Sequence, residues 1–272
     1  MTLLYKSNIQ TVLDNNIKGH VARVGGAVNQ LIRYDDCVVE DINIPDGGYG
    51  AIGKVDSFFD IRNNIRLVKR YIRQEMNYLK EGYKASRDRK TVILDLHDAF
   101  SRPDLKSRYD CSISSNVIEH SPNPIFLLLN FYYITRLDGY QFHAIPNYKY
   151  TYDCHRKPTS LEHMIRDFKK KMDRDDVTHG IDYYQSAVVK HGWQKKFHQT
   201  YPVAYPYMHF HVFDVHNTKD LIEFLFEDVV VDVIKTEQFS DNVIVFKNRL
   251  NVNFLAKYGK IAESYSKDIM DK

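Results

Sequence analysis

The chain has 272 residues, of which 43% are hydrophobic and 27% are charged, and its formal net charge is +3. This composition is typical of a globular protein, and a charge so near neutral excludes the overall basic character by which many nucleic-acid-binding proteins are recognised. The three cysteines lie far apart, and the sequence has no signal peptide and no long apolar run. We therefore expect a cytoplasmic protein with reduced thiols, no membrane insertion and no nucleic-acid partner.

The N-terminal part predicts one helix and two strands. Apolar residues at helical spacing in residues 4–17 predict the helix. HVARVGG predicts a strand that runs into Gly25 and Gly26, and CVVEDINI predicts a second strand that ends in Glu40 and Asp41. We interpret the two strands as parallel neighbours.

A glycine-rich stretch, DGGYGAIGKV in residues 46–55, has the spacing of a nucleotide phosphate loop. Such a loop ends in a Ser or Thr that binds magnesium, and Val55 occupies that position. We therefore interpret the stretch as a turn and do not expect ATP binding. Residues 62–90 then predict a helix with a basic surface, which we interpret as a solvated face.

The remaining elements alternate between strands and helices. Buried-type strands are predicted in TVILDLHDAF, YDCSISSNVIEH and GYQFHAIPN, with a helix in FLLLNFYYITRL before the last of them. Within about 148–207 the one predicted helix is SLEHMIRDFKKKM, with Ser160 as its cap. The chain closes with a helix in TKDLIEFLFED and a hairpin formed by VVVDVIKTEQF and VIVFKN.

This order predicts a Rossmann-like, doubly wound and mostly parallel α/β sheet, to which the hairpin adds an antiparallel strand. We expect one domain, with insertions at about 62–90 and 148–207. Ligands then belong at the carboxyl ends of the strands. The polar or glycine-rich strand ends are Gly25, Gly26, Glu40, Asp41, His97, Asp98, Ser114, Ser115, Asn116, Pro146 and Asn147.

Residues 109–147, YDCSISSNVIEH to HAIPN, resemble the class I S-adenosylmethionine-dependent methyltransferases. In that family an acid opens the fourth strand, Val-(Leu/Ile)-Glu-His closes it, and a glycine-containing turn precedes the fifth strand. PNYKYTYDCHRKPTSLEHMIRDF is similar to an insertion in bacterial methyltransferases encoded with capsule and O-antigen polysaccharide genes. The resemblance covers most of residues 19–147 and the hairpin. It implies a seven-stranded sheet and S-adenosyl-L-methionine as the cofactor.

Carried over position by position, the resemblance implies cofactor contacts at the ends of the first four strands. These contacts are Gly25 and Gly26 against the methionine part, Asn29 at its amino-acid end, Glu40 or Asp41 at the ribose, Asp98 beside the adenine, and Ser115 and Asn116 at the sulfonium. One position departs from the family pattern, because Arg23 stands where an acid is usual.

The catalytic base that methylation of a hydroxyl requires is predicted to be a histidine, since its ordinary pKa suits proton transfer near neutral pH. His120 follows the fourth strand, and His163 lies on the insertion helix. The residues that we expect to contact the acceptor are Asn147, Tyr152, Arg156, His179 and His209.

MHFHVFDVH places His209 and His211 on one face of a predicted strand, where they would suit a metal pair. With no acidic third ligand at a telling spacing, we interpret the pattern as alternation in a half-buried strand and predict no metal. The resulting hypothesis is a methyltransferase that modifies a hydroxyl of a sugar, nucleotide sugar or surface glycan. Alternatives are N-methylation of a small amine or amide, and a catalytically inactive binding or scaffold subunit, which Arg23 suggests.

Overall fold

The computed structural model describes residues 17–25, 37–43, 90–174, 176–192, 208–235 and 241–269. Its strands are β1 (Gly19–Gly25), β2 (Cys37–Asn43), β3 (Lys90–Ile93), β4 (Tyr109–Ser115), β5 (Thr135–Pro146), β6 (Val229–Lys235) and β7 (Asp241–Lys247). Its α-helices are α1 (Pro124–Ile134), α2 (Leu161–Lys170), α3 (Val177–Tyr183), α4 (Val215–Leu225) and α5 (Val252–Glu263). Short 3₁₀ helices span Leu96–Ser101, Pro103–Leu105, Ile118–His120, Tyr148–Tyr150 and Lys267–Ile269, and a π-helical turn spans Tyr184–Val188.

The strands form one sheet of seven, in the order β3-β2-β1-β4-β5-β7-β6. Strands β1 to β5 pair in parallel, whereas β7 runs antiparallel to both β5 and β6. The predicted mostly parallel, doubly wound sheet with an antiparallel C-terminal hairpin is therefore confirmed. Because the chain winds outward from β1 to β3 and then returns to β4, the strand order reverses between β1 and β4, and a crevice is expected at their carboxyl ends.

The central strands of the sheet are buried on both faces. One face packs against the main core, to which α1, α2, α4 and α5 all contribute buried side chains. Almost every residue of α1 is buried, in keeping with the sequence PIFLLLNFYYI, which is apolar or aromatic at every position except Asn130. The opposite face carries a smaller cluster that includes Val21, Ile113 and Phe142. Continuous apolar runs are typical of strands in such a two-sided parallel sheet.

Three elements differ from the sequence expectation. Helix α1 ends at Ile134 and β5 begins at once, because Thr135 already pairs with Tyr109 before the register shifts. Helix α3 was not predicted, although Asp176 caps it by accepting from two backbone N–H groups. Residues 208–214 do not form the predicted strand and make a single β-bridge, at Phe213.

Several sequence features fall outside the described residues. The phosphate-loop-like stretch 46–55 lies wholly outside them. The N-terminal helix lies outside them except for Ile17, and the basic helix except for Lys90. Among the helices that the structure describes, none combines the length and the apolar character needed to cross a membrane. The division into one domain with two insertions stays a prediction.

Acid should destabilise the protein through His143, a fully buried residue of β5. Its Nδ1 lies 2.7 Å from Ser114 Oγ and its Nε2 lies 2.9 Å from Gln141 Oε1, and burial lowers its pKa from 6.5 to about 3. Between these values the unfolded chain binds a proton that the folded chain does not. As the pH is lowered through this range, the free energy of unfolding should therefore decrease, by about 1.4 kcal/mol per pH unit for this group.

Urea unfolding at a series of pH values below 6.5 measures this dependence. His143→Gln should flatten the slope by roughly the same 1.4 kcal/mol per pH unit. An unchanged slope in a folded variant would show that His143 does not remain neutral in the native state.

Candidate functional site

The carboxyl ends of β1 and β4 approach each other closely at Gly25. This residue has φ +83°, and a Cβ there would lie 2.3 Å from the carbonyl oxygen of Ser115 and 2.6 Å from Val117 Cγ2. Only glycine tolerates both the left-handed backbone and the contact. The first predicted cofactor glycine therefore lies at the reversal of strand order, as the resemblance requires, and Gly26 and Asn29 lie outside the described residues.

Gly25→Ala is expected to lower the free energy of unfolding by about 2–5 kcal/mol, because strain from the positive φ adds to the clash with the β4 backbone. Gly192→Ala is the matched control. Gly192 has φ +70° with nothing within 4 Å of a Cβ, so its replacement should cost only about 1–2 kcal/mol. Urea unfolding compares the two, and equal losses would mean that close packing of β1 on β4 does not require the glycine.

Other predicted residues also lie at this edge of the sheet. Ser115 is buried and its hydroxyl donates to Asn116 Oδ1 at 3.0 Å, while Asn116 itself is exposed and has φ 54°. Asn147 follows β5 and is buried, with its amide donating to Asn242 Oδ1 at 3.0 Å. Asp98 lies in the 3₁₀ helix after β3 and is exposed. These positions fit the predicted edge, but their proposed contacts with a ligand remain predictions.

Glu40 does not end its strand, contrary to the sequence prediction. It lies in the middle of β2, and its carboxylate accepts hydrogen bonds from Arg108 Nη2 at 2.8 Å and from Tyr109 OH at 2.9 Å. Although burial acts to raise it, these hydrogen bonds lower the pKa of Glu40. Because Tyr109 opens β4, the carboxylate points towards the amino end of the sheet. The structure therefore gives no support to the ribose contact assigned to Glu40, which stays a prediction.

Asp41 is held within the sheet by the arginine that departs from the family pattern. Arg23 and Asp41 are partners on the adjacent strands β1 and β2, and Arg23 Nε donates to Asp41 Oδ1 at 2.6 Å. Arg23 is buried. A buried cation requires such a partner, so the pair accounts for Arg23 without any change at a cofactor. The Asp41 carboxylate, which the resemblance places at the ribose, is therefore already engaged by Arg23.

A group of ionisable side chains lies beyond the carboxyl ends of β4 and β5, and we call it the acid–base group. Its members are Glu119, His120, Asp153 and His209. His209 Nδ1 lies 2.5 Å from Asp153 Oδ2, so this nitrogen donates to the carboxylate. The other ring nitrogen, Nε2, lies 3.9 Å from Glu119 Oε1. A histidine oriented by a carboxylate in this way leaves Nε2 free to accept a proton from a substrate.

His120 also lies near this carboxyl group. Its Nδ1 donates to the carbonyl oxygen of Met208 at 2.9 Å, and its Nε2 lies 3.7 Å from Glu119 Oε1. The rings of His120 and His209 meet edge to face, with centroids 4.7 Å apart. Burial lowers the pKa of His120 to about 3, so the ring is neutral near physiological pH.

Glu119 lies beside both rings with neither carboxyl oxygen hydrogen-bonded, although the side chain is only 1% exposed. Burial raises its pKa well above the usual value, and the nearby Asp241 and Asp153 add to this effect. The buried site therefore favours the protonated form of the Glu119 carboxyl. A buried polar group without a partner costs about 1–3 kcal/mol, and such groups mark sites where a ligand completes the hydrogen bonding.

The guanidinium of Arg156 is engaged within the protein, which gives no support to its predicted contact with the acceptor. Its guanidinium makes five hydrogen bonds, to Asp153, to Asp182 twice, and to the carbonyl oxygens of His209 and Phe210. Because a guanidinium has five N–H donors, none remains for a substrate. Arg156 instead fixes Asp153 and the backbone that carries His209.

The remaining predicted residues divide between two places. Tyr152 lies against the acid–base group, with its ring centroid 4.5 Å from that of His209. His163 and His179 lie elsewhere, and their Nε2 atoms are 3.3 Å apart. Together with Asp167 and His211 they form a second set of side chains, which we call the lid cluster. The structure therefore separates the two predicted bases, His120 and His163.

Sequence reasoning missed several members of these groups. Glu119 belongs to the family motif, but the resemblance assigns it no role. Asp153 lies in a loop, where no periodicity indicates which way its side chain points. Asp167 carried a usable signal, because His163 and Asp167 are four residues apart and share one face of α2. His211 was considered together with His209, yet the structure places these two histidines in different groups.

Solved structures that superpose in part on this one include S-adenosylmethionine-dependent methyltransferases. The apo form of SibL has a TM-score of 0.44 and 13% identity, covering 91% of this chain and 55% of that one. The CurJ carbon methyltransferase has a TM-score of 0.43 and 13% identity, covering 92% and 54%. A methyltransferase from Methanosarcina mazei has a TM-score of 0.40 and 10% identity, covering 88% and 98%.

The chain spans about half the length of SibL and of CurJ. No protein-family model matches the sequence, and no curated protein matches it. All three TM-scores lie below 0.5, so the fold assignment rests on the strand order described above. None of these similarities indicates an acceptor, and none indicates a capsule or O-antigen gene cluster.

Proposed function

We propose that the protein is an S-adenosylmethionine-dependent methyltransferase that methylates a hydroxyl of a sugar, a nucleotide sugar or a surface glycan. The resemblance to class I methyltransferases implies a strand order with an antiparallel β7. This strand order supports S-adenosylmethionine as the cofactor. The orphaned carboxyl of Glu119 beside the Asp153 and His209 pair is the observation that carries the reaction. It combines a proton acceptor with an unfilled place for a polar ligand.

The described residues fit the cofactor through the backbone at the β1 and β4 ends. Gly25 allows the ends of β1 and β4 to approach each other at this edge, and Asn116 presents an exposed amide beside it. Glu40 and Asp41 make no part of this fit, since both carboxylates have partners within the protein. When bound, S-adenosylmethionine would supply an activated methyl group, whose bond to sulfur breaks as an aligned nucleophile attacks in line, with S-adenosylhomocysteine as the leaving group.

His209 is the base in this proposal. The O–H bond of the acceptor breaks as its oxygen takes the methyl group, and the proton passes to His209 Nε2. Asp153 holds the ring through Nδ1 and stabilises the imidazolium that forms. Arg156 in turn holds Asp153 Oδ1 at 2.8 Å, so the pair is fixed before the acceptor binds. A general base of this kind contributes about 10²–10⁴ to the rate.

Glu119 positions the acceptor. The protonated form of this carboxyl, which burial favours, donates one hydrogen bond and accepts another, and this suits a ligand that offers neighbouring hydroxyls. Carbohydrates have that chemistry. An aromatic wall beside the site, provided by Tyr152, suits the apolar face of a sugar ring. The side chain of His120 is 17% exposed and marks the side from which the acceptor approaches.

An assay with S-adenosylmethionine carrying a labelled methyl group tests the substrate class. We expect label in sugars or nucleotide sugars, and expect the bond to the new methyl group to be an ether. Transfer to amines or amides alone would favour the N-methyltransferase. Cofactor binding without transfer to any member of either panel would favour the inactive binding subunit.

A further inference from the structure

Four side chains of the lid cluster converge on one point between three chain segments. His163 and Asp167 come from α2, His179 comes from α3, and His211 comes from the irregular segment before α4. Asp167 Oδ2 lies 3.2 Å from His163 Nε2, 3.4 Å from His179 Nε2 and 3.0 Å from His211 Nε2. His163 Nε2 and His179 Nε2 are 3.3 Å apart. Three ring nitrogens and a carboxylate oxygen therefore face a common centre.

The outer nitrogens of two of these rings are already used. His211 Nδ1 lies 2.9 Å from the carbonyl oxygen of Ser121, which can only accept, so this nitrogen carries a proton. His179 Nδ1 lies 2.9 Å from the carboxylate of Asp176 in the same arrangement. In each neutral ring the lone pair is then on Nε2 and points towards the other acceptors. A shared cation satisfies all of these lone pairs at once.

The separations match those around a tetrahedral zinc ion. With zinc bonds of about 2.0–2.1 Å, tetrahedral ligand atoms lie about 3.3 Å from one another. The four distances given above, from 3.0 to 3.4 Å, bracket this value. Hydrogen bonds from the outer histidine nitrogens to a carboxylate and a backbone carbonyl are also the usual support of metal-bound histidines.

We propose that the lid cluster binds a divalent transition metal, zinc in the first place, through His163, Asp167, His179 and His211. This departs from the sequence prediction of no metal. Four protein ligands leave no open position, which is the arrangement of a structural site. The metal would join α2 and α3 to the segment that carries His209, two residues before the ligand His211.

Metal analysis of the untagged full-length protein, purified without chelators, tests this site directly. We expect about one zinc per chain, and after chelation a Co²⁺ titration should give the visible spectrum of tetrahedral coordination. Excess zinc should also raise the melting temperature of the metal-free chain. None of these measurements depends on methyl transfer.

His163→Gln is the most informative variant, because the His163 side chain is 43% exposed and its replacement spares the core. It should weaken Co²⁺ binding by about 100-fold or more and remove the effect of zinc on the melting temperature. His216→Gln is the matched control, since His216 is exposed at the start of α4 and, among the described residues, belongs to no group of side chains that could hold a metal ion. Its Co²⁺ affinity should equal that of the native chain.

Three results would overturn the proposal. One is a folded native protein that contains no metal and takes up no Co²⁺. The second is a His163→Gln variant that binds Co²⁺ with native affinity and spectrum, and the third is a control variant that loses the metal.

Discussion

His209→Asn is expected to lower the turnover number by about 10²–10⁴ while the affinity for S-adenosylhomocysteine stays near native. The amide nitrogen of asparagine can still donate to Asp153, as Nδ1 of His209 does at 2.5 Å, so the buried carboxylate keeps its partner. What the variant lacks is Nε2, the atom that accepts the proton. Steady-state kinetics with an identified hydroxyl acceptor, together with calorimetry of cofactor binding, measures both quantities.

Two further variants make this test specific. His216→Asn replaces an exposed histidine at the start of α4 and should leave turnover unchanged. His120→Asn should reduce turnover less than His209→Asn, because a backbone carbonyl and not a carboxylate orients the His120 ring. Near-native turnover in His209→Asn, or a larger loss in His120→Asn, would assign the base to another residue.

Arg156→Met is expected to lower the free energy of unfolding by about 3–5 kcal/mol, since it leaves the buried Asp153 carboxylate without its cation. Arg156 is 5% exposed, and all of its donors are engaged, including those to the carbonyl oxygens of His209 and Phe210. Methionine has a similar length and fills the space without replacing any of these hydrogen bonds. Urea unfolding measures the loss.

Arg249→Met provides the comparison, because Arg249 also pairs with two carboxylates but on the surface. It contacts Asp138 at 2.6 Å and Asp228 at 3.3 Å, and solvent screens both interactions. Its replacement should change stability little. If Arg156→Met were as mild as Arg249→Met, Arg156 would not be the clamp of the acid–base group.

The sheet could be predicted because its signals are local. VIVF in β7 and most of PIFLLLNFYYI in α1 are apolar over lengths typical of a buried strand and a buried helix. The C-terminal hairpin was equally clear. The point at which α1 passes into β5 was not, because it depends on the pairing of Thr135 with Tyr109, a contact between distant parts of the chain.

The site could be predicted only in part, for a related reason. Gly25 and Asn116 were placed correctly at the sheet edge by strand order alone. The partners of the ionisable residues depend on tertiary packing, so the sequence could not show that Glu40 meets Tyr109, or that Asp41 meets Arg23. In MHFHVFDVH, alternate histidines indicated a strand, whereas His209 and His211 belong to two separate groups of side chains.

Calorimetric titration of the native chain with S-adenosylmethionine and S-adenosylhomocysteine tests the central claim most directly, because both the cofactor and the reaction depend on it. Binding of each ligand with a stoichiometry near one per chain is the result expected from the crevice at the β1 and β4 ends. A folded chain that binds neither ligand would contradict the proposed function and leave an inactive, methyltransferase-like scaffold.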